Sequence, residues 1–144
     1  MAAANTHDGG HYAIRKVDTG SLSVGQSPLS HANPAAREEL APGFDACIAR
    51  SSSVNEMRQC NAKAIQYWQE RLDKALSRAG ARCEQANQPE ICKKRLEQSQ
   101  TAWQEYVDMM GEYVMEVNGG GSEGMLEQGG FRAEAIRAQV RILE

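Results

Sequence analysis

From residue 54 onward the apolar positions fall at steps of three and four: Val54, Met57, Cys60, Ala64, Trp68, Leu72, Ala75, Leu76 and Ala79. That spacing lines one face of a helix. Lys63, Glu70, Arg71, Asp73 and Lys74 fall mostly elsewhere, and Glu70 stands four residues before Lys74, the favourable order for a surface pair. The run has a start signal. Ser53 and Glu56 are three apart, the capping-box arrangement, in which the Ser53 hydroxyl accepts from the Glu56 N–H and the carboxylate reaches back to the Ser53 N–H. The pattern predicts a helix of about seven turns ending near Gly80. Ahead of it, Phe44-Asp45-Ala46-Cys47 reads as a short turn that can fold back onto the helix.

A second run carries Ile91, Leu96, Ser99, Trp103, Tyr106, Val107, Met110, Val114 and Val117, again at helical steps. Asn87-Gln88-Pro89-Glu90 is its start, with proline in the first turn and an acid beside it, and Asn118-Gly119 stops it. Two long helices with a short polar connection make an antiparallel hairpin. The stretch 118–130 is dense in glycine and reads as a flexible turn. Residues 131–143 then form a short last helix, with Ala133, Ile136, Val140 and Leu143 inward and Arg132, Arg137 and Arg141 mainly outside that face.

The first quarter of the chain is different. It is polar and punctuated by Pro28, Pro34 and Pro42. Tyr12-Ala13-Ile14 and Leu22-Ser23-Val24 are too short to specify strands alone, and residues 35–40 read as one helical turn leading in. The expected architecture is all-α: an irregular arm over 1–43, then a helical domain over 44–144 built on the hairpin and the short C-terminal helix.

Composition narrows this picture. The chain has 144 residues, 41% hydrophobic and 6% aromatic, enough for one domain but not for a generous core, so covalent staples would help. Cys47, Cys60, Cys83 and Cys92 form an even set with no CxxC, and His7, His11 and His31 all precede Cys47, which argues against zinc and for two disulfides in an oxidising compartment. Cys83 and Cys92 flank the hairpin connection, so their pairing would staple that end, while Cys47 with Cys60 would staple the root. Spacing alone leaves all three pairings of four cysteines open, with four reduced thiols as the alternative. His7 and His11 are separated by Gly9-Gly10, which defeats a helical metal pair.

The net charge of -3 and pI of about 5.7 lack the basic footprint of a nucleic-acid binder. They suit a basic partner or simple solubility. No stretch is apolar enough to span a bilayer. The opening residues lack a basic segment followed by an apolar one, so an exported chain would have lost its native signal, with Met1 added. Leu143-Glu144 reads as a cloning remnant.

Catalytic chemistry lacks parts. The helical body holds no histidine for a nucleophile–base pair. Glu112 with Glu116 reads as a solvated helix face, and Glu123 with Glu127 would need a cleft to act as a glycosidase pair. Trp68, Trp103 and Tyr106 lie on apolar faces and read as core. No phosphate loop is present in 118–130. The expectation is a non-enzyme with no cofactor and no metal.

The residues FDACIARSSSVNEMRQC resemble the opening of the LprI-like lysozyme-inhibitor domain, with a cysteine start, a Ser-x-x-Glu cap and a second cysteine. The similarity continues loosely through 68–76, at Trp103-Gln104-Glu105-Tyr106-Val107-Asp108, at Gly120-Gly121-Ser122 and around 137–143. It covers about 44–143 and leaves the first 43 residues unexplained. The chain departs from the family's later cysteine pair: Gly111 stands near one position and Gly129 or Gly130 near the other. The resemblance implies export to the periplasm or cell surface and binding to a peptidoglycan-cleaving enzyme, as a lysozyme inhibitor or as the immunity protein of a lysozyme-like or amidase toxin.

On that footing the expected mechanism is steric occlusion by a mobile loop entering the enzyme's cleft. Asn118, Gly120, Gly121, Ser122 and Glu123 are the candidate contacts, and the N-terminal arm is the rival surface. Glycine there lets backbone approach closely. A non-inhibitory helical module of the envelope, assembling with itself as a homodimer or with another protein, is the alternative.

Overall fold

The computed structural model describes residues 38–144. The expectations for Tyr12-Ala13-Ile14, Leu22-Ser23-Val24, the His7/His11 pair and most of the arm lie outside the described residues. The described chain contains helices and no strand: α1 (Phe44–Arg50), α2 (Val54–Cys83), α3 (Pro89–Val117) and α4 (Gly121–Leu143). The turn expected at Cys47 is thus a short helix.

Local chemistry sets the helix ends. The Glu56 N–H donates to Ser53 Oγ at 3.2 Å, as the capping box requires. The return reaches further than expected: the Glu56 carboxylate accepts mainly from the N–H and hydroxyl of Ser52, with the Ser53 N–H a smaller contributor. These bonds hold the Glu56 pKa below its ordinary value, the Ser52 N–H contributing most. At the other end α2 runs through Gly80 to Cys83. One glycine costs a helix only about 1 kcal/mol relative to alanine, too little to stop it. Pro89 opens α3 as expected.

Both expected bridges form, Cys47–Cys60 and Cys83–Cys92, and no cysteine is free among the described residues. The first ties α1 to α2, and the second closes the α2–α3 connection.

Two long-range bonds fix the direction of α4. Asn61, near the start of α2, donates from Nδ2 to the Leu126 carbonyl at 2.8 Å. Arg82, near the end of α2, donates to the Leu143 carbonyl. So α2 and α4 run parallel, and α3 runs back between their ends. α4 packs extensively on α2 and on α3, whereas α2 and α3 touch over a shorter stretch. The hairpin is therefore completed by a third long helix.

The main core joins Leu72, Ala75 and Ala79 of α2 to Ile136, Val140 and Leu143 of α4, with Leu96 and Trp103 of α3 packed against it. A second cluster sets Leu40 and Ala41 on Ala64 and Ala133. The Trp68 indole N–H donates to the Leu40 carbonyl at 2.6 Å, which ties the segment ahead of α1 to the helical body. The inward set predicted for the last helix is in the core. Leu143 belongs to it.

Two expectations for the second half change. α4 begins at Gly121, ten residues before the expected Phe131, so most of the glycine-dense stretch is helix and the last helix is 23 residues long. The reason is close packing. A Cβ on Gly124 would lie 2.5 Å from the Met115 carbonyl oxygen, and one on Gly129 would lie 3.1 Å from Asn61 Nδ2. Glycine here thins α4 where it presses on its neighbours. Gly111 of α3 faces the Gln128 side chain of α4.

The second correction concerns α3. Val107 is buried, but Ile91, Tyr106 and Val117 are exposed. At 100° per residue, Tyr106 and Val117 lie roughly 80–100° round the helix from Val107, and Ile91 lies on the far side. α4 covers one face only.

Candidate partner-binding surface

The candidate contact residues lie where α3 hands over to α4. Asn118 ends α3 and its side-chain amide donates to the Val114 carbonyl at 2.7 Å. The Gly120 N–H donates to the Met115 carbonyl at 2.9 Å and the Gly119 N–H to Glu116 at 3.1 Å. That bond pair is a Schellman cap, which requires a left-handed residue after the helix. Gly119, Gly120 and Gly121 have φ of 85°, 64° and 59°, a region that side chains disfavour. The expected mobile loop is therefore a short, internally bonded turn. Ser122 and Glu123 are exposed in the first turn of α4, and the acid suits the positive end of the helix dipole. Asn118, Gly120, Gly121, Ser122 and Glu123 are thus brought together at one end of the described helices, on an internally bonded turn.

Next to this end runs an exposed apolar stripe. Tyr106, Met109, Tyr113 and Val117 are 52%, 65%, 59% and 58% exposed. Their spacing of three, four and four keeps them within an arc of roughly 80° on α3. Glu105, Glu112 and Glu116 flank the stripe on one side, all exposed, and none forms an ion pair among the described residues. Asp108, further round, pairs with Arg132 of α4.

This acidic flank belongs to a wider asymmetry. Residues 96–131 hold seven acidic side chains and no Lys or Arg, so all 16 basic residues lie outside that stretch. Whole-chain net charge hides the asymmetry, while a running charge count reveals it. The exposed stripe gives a weaker sequence signal, because its residues share helical spacing with the core face.

A cleft of about 340 Å3 lies between the segment ahead of α1 and α4, lined in part by Glu38, Phe44, Asp45, Glu127, Phe131 and Glu134. Two of its carboxylates, Glu38 and Glu134, are paired with arginines of α4. The hydrogen bond and charge of Arg141 hold Glu38 below the ordinary carboxylate range, whereas a glycosidase acid needs its pKa raised. Arg137 pairs with Glu134. Glu127 lines the cleft and Glu123 does not, so that candidate pair is not assembled there. Among the described residues no group of His, Cys, Asp and Glu is placed to hold a metal, and no helix is long and apolar enough to cross a membrane.

The fold and this surface define a small, disulfide-stapled helical protein with an exposed apolar stripe and acidic flank on α3. The model of the LprI lysozyme-inhibitor family matches residues 47–143, from the first cysteine through the last core leucine, and the chain belongs to that family. No match was found among curated proteins or among solved structures.

Proposed function

We propose that the protein is an exported, non-enzymatic inhibitor that seats its α3–α4 end on a peptidoglycan-cleaving enzyme and blocks the substrate groove. The family match over the whole helical body carries this reading. The two disulfides support an oxidising location such as the periplasm. The glycine turn offers a narrow backbone edge, and Ser122 and Glu123 offer polar contacts beside it. A rigid end of this kind loses little conformational entropy on docking. The target is a lysozyme or a lysozyme-like or amidase toxin. In the toxin case the protein acts as an immunity protein, guarding its producer against an effector delivered by a secretion system such as type VI.

The test replaces Ser122 and Glu123 together with alanine and measures inhibition of purified hydrolases. A weaker inhibition constant with an unchanged melting curve is expected. Unchanged inhibition removes the turn as the contact. Failure of the native chain to inhibit any muramidase or amidase leaves a non-inhibitory envelope module as the reading.

A further inference from the structure

We infer that the outer face of α3 is a docking surface for a basic protein partner. Resting on the inhibitor reading above, it identifies that partner as a hydrolase with a cationic groove rim. The stripe of Tyr106, Met109, Tyr113 and Val117 is apolar and uncovered by the other described helices. Tyrosine and methionine are residue types enriched where proteins meet, because they bury large area at modest ordering cost. The charge beside them selects the occupant. Glu105, Glu112 and Glu116 recur along one edge of the stripe without a described basic partner. Glu123 adds an exposed acid in the first turn of α4.

A second copy of the same chain is disfavoured on this face, since pairing two stripes sets two acid-rich, base-free stretches against each other and like charges repel. A nucleic acid is disfavoured for the same reason. A basic protein surface gains on both counts. Its charges steer the encounter toward the acidic end, and its apolar patches cover the tyrosines once seated. The face adjoins the α3–α4 turn, so one partner can touch both. Contact along α3 then sets orientation while the turn meets the groove.

The experiment uses the full oxidised chain with egg-white lysozyme, a strongly basic muramidase, and with an acidic muramidase of the same reaction. Stopped-flow association and inhibition are measured at low and high salt. Two variants follow, Glu105→Gln/Glu112→Gln/Glu116→Gln and Met109→Ser/Tyr113→Ser. All five side chains are exposed, and circular dichroism checks the fold. The native chain should bind the basic enzyme with an on-rate that falls as salt rises, and should bind the acidic one weakly. The charge variant should lose about tenfold in on-rate at low salt and most of the salt dependence. The apolar variant should dissociate about tenfold faster at similar on-rate.

Native inhibition that persists in both variants overturns the docking face and leaves the inhibitor reading standing. Preference for the acidic enzyme also overturns the face. No inhibition of either enzyme overturns the docking of a basic muramidase on this face, and the inhibitor reading falls with it once amidases also go uninhibited. Sedimentation showing a dimer that the Met109→Ser/Tyr113→Ser variant abolishes assigns the face to a second copy and overturns the inference.

Discussion

The two joins between long helices are built in opposite ways. Between α2 and α3 the chain turns through a polar connection and is closed by Cys83–Cys92, in a setting that includes Arg78, Arg82, Lys93, Lys94 and Arg95. Between α3 and α4 the join has no disulfide and no base. A Schellman cap on three left-handed glycines turns the chain, and Gly124 then lets the α4 backbone lie against the Met115 carbonyl. One join is held by a covalent bond that limits the unfolded chain, the other by packing that exists only when folded. A covalent closure tolerates loose surroundings, whereas a packed one demands a rigid fit, and the packed join is the one beside the candidate contact residues.

The largest effect should come from breaking the covalent join together with the root bridge. Loops of 13 and 9 residues each contribute about 3 kcal/mol in the chain-entropy account. Reduction should therefore lower the urea midpoint sharply, and Cys83→Ser/Cys92→Ser alone should reproduce about half of the loss. A midpoint unmoved by reductant would dissolve the contrast between the joins.

A smaller effect tests the packed join. Gly124→Ala should lose about 2 kcal/mol, because its Cβ meets backbone that cannot step aside. Gly80→Ala, in α2 where a Cβ meets nothing within 4 Å, should gain about 0.5–1 kcal/mol. Thermal melts of the pair sharpen the comparison, and equal shifts would mean that close approach is not what glycine supplies to α4.

The smallest effect concerns the cap of α2. Glu56 has a depressed folded pKa, so its contribution is present above its ordinary value near 4.5 and is lost as pH falls through the folded value. Melting curves at pH 6 and pH 3 should show the native chain losing this increment, while Glu56→Gln lacks it at both.

The sequence made the cysteines and the α2 cap legible because their chemistry is local. Ser53 and Glu56 announce a helix start whatever packs on it, and Cys83 and Cys92 flank the connection they close. The α4 start was not legible for the same physical reason in reverse. In 121–130 glycine suggests a turn, and only the presence of Met115 and Asn61 across the contact makes its missing side chains an asset to a helix. Helical spacing marks an apolar face without saying whether anything covers it, so it groups Tyr106 and Val117 with the core positions. For the candidate contact residues, the turn after Asn118 is readable in the sequence, and the early start of α4 at Gly121 is not.

The acid-rich stretch of residues 96–131 has a mechanical consequence. Bases gather where α2 meets α3, and acids dominate toward the far end of α3, a helix of 29 residues and so about 43 Å long. Such a separation gives the molecule a large permanent dipole moment. In the field of a cation-rich surface it experiences a torque, so the acidic end turns toward that surface before any atoms touch.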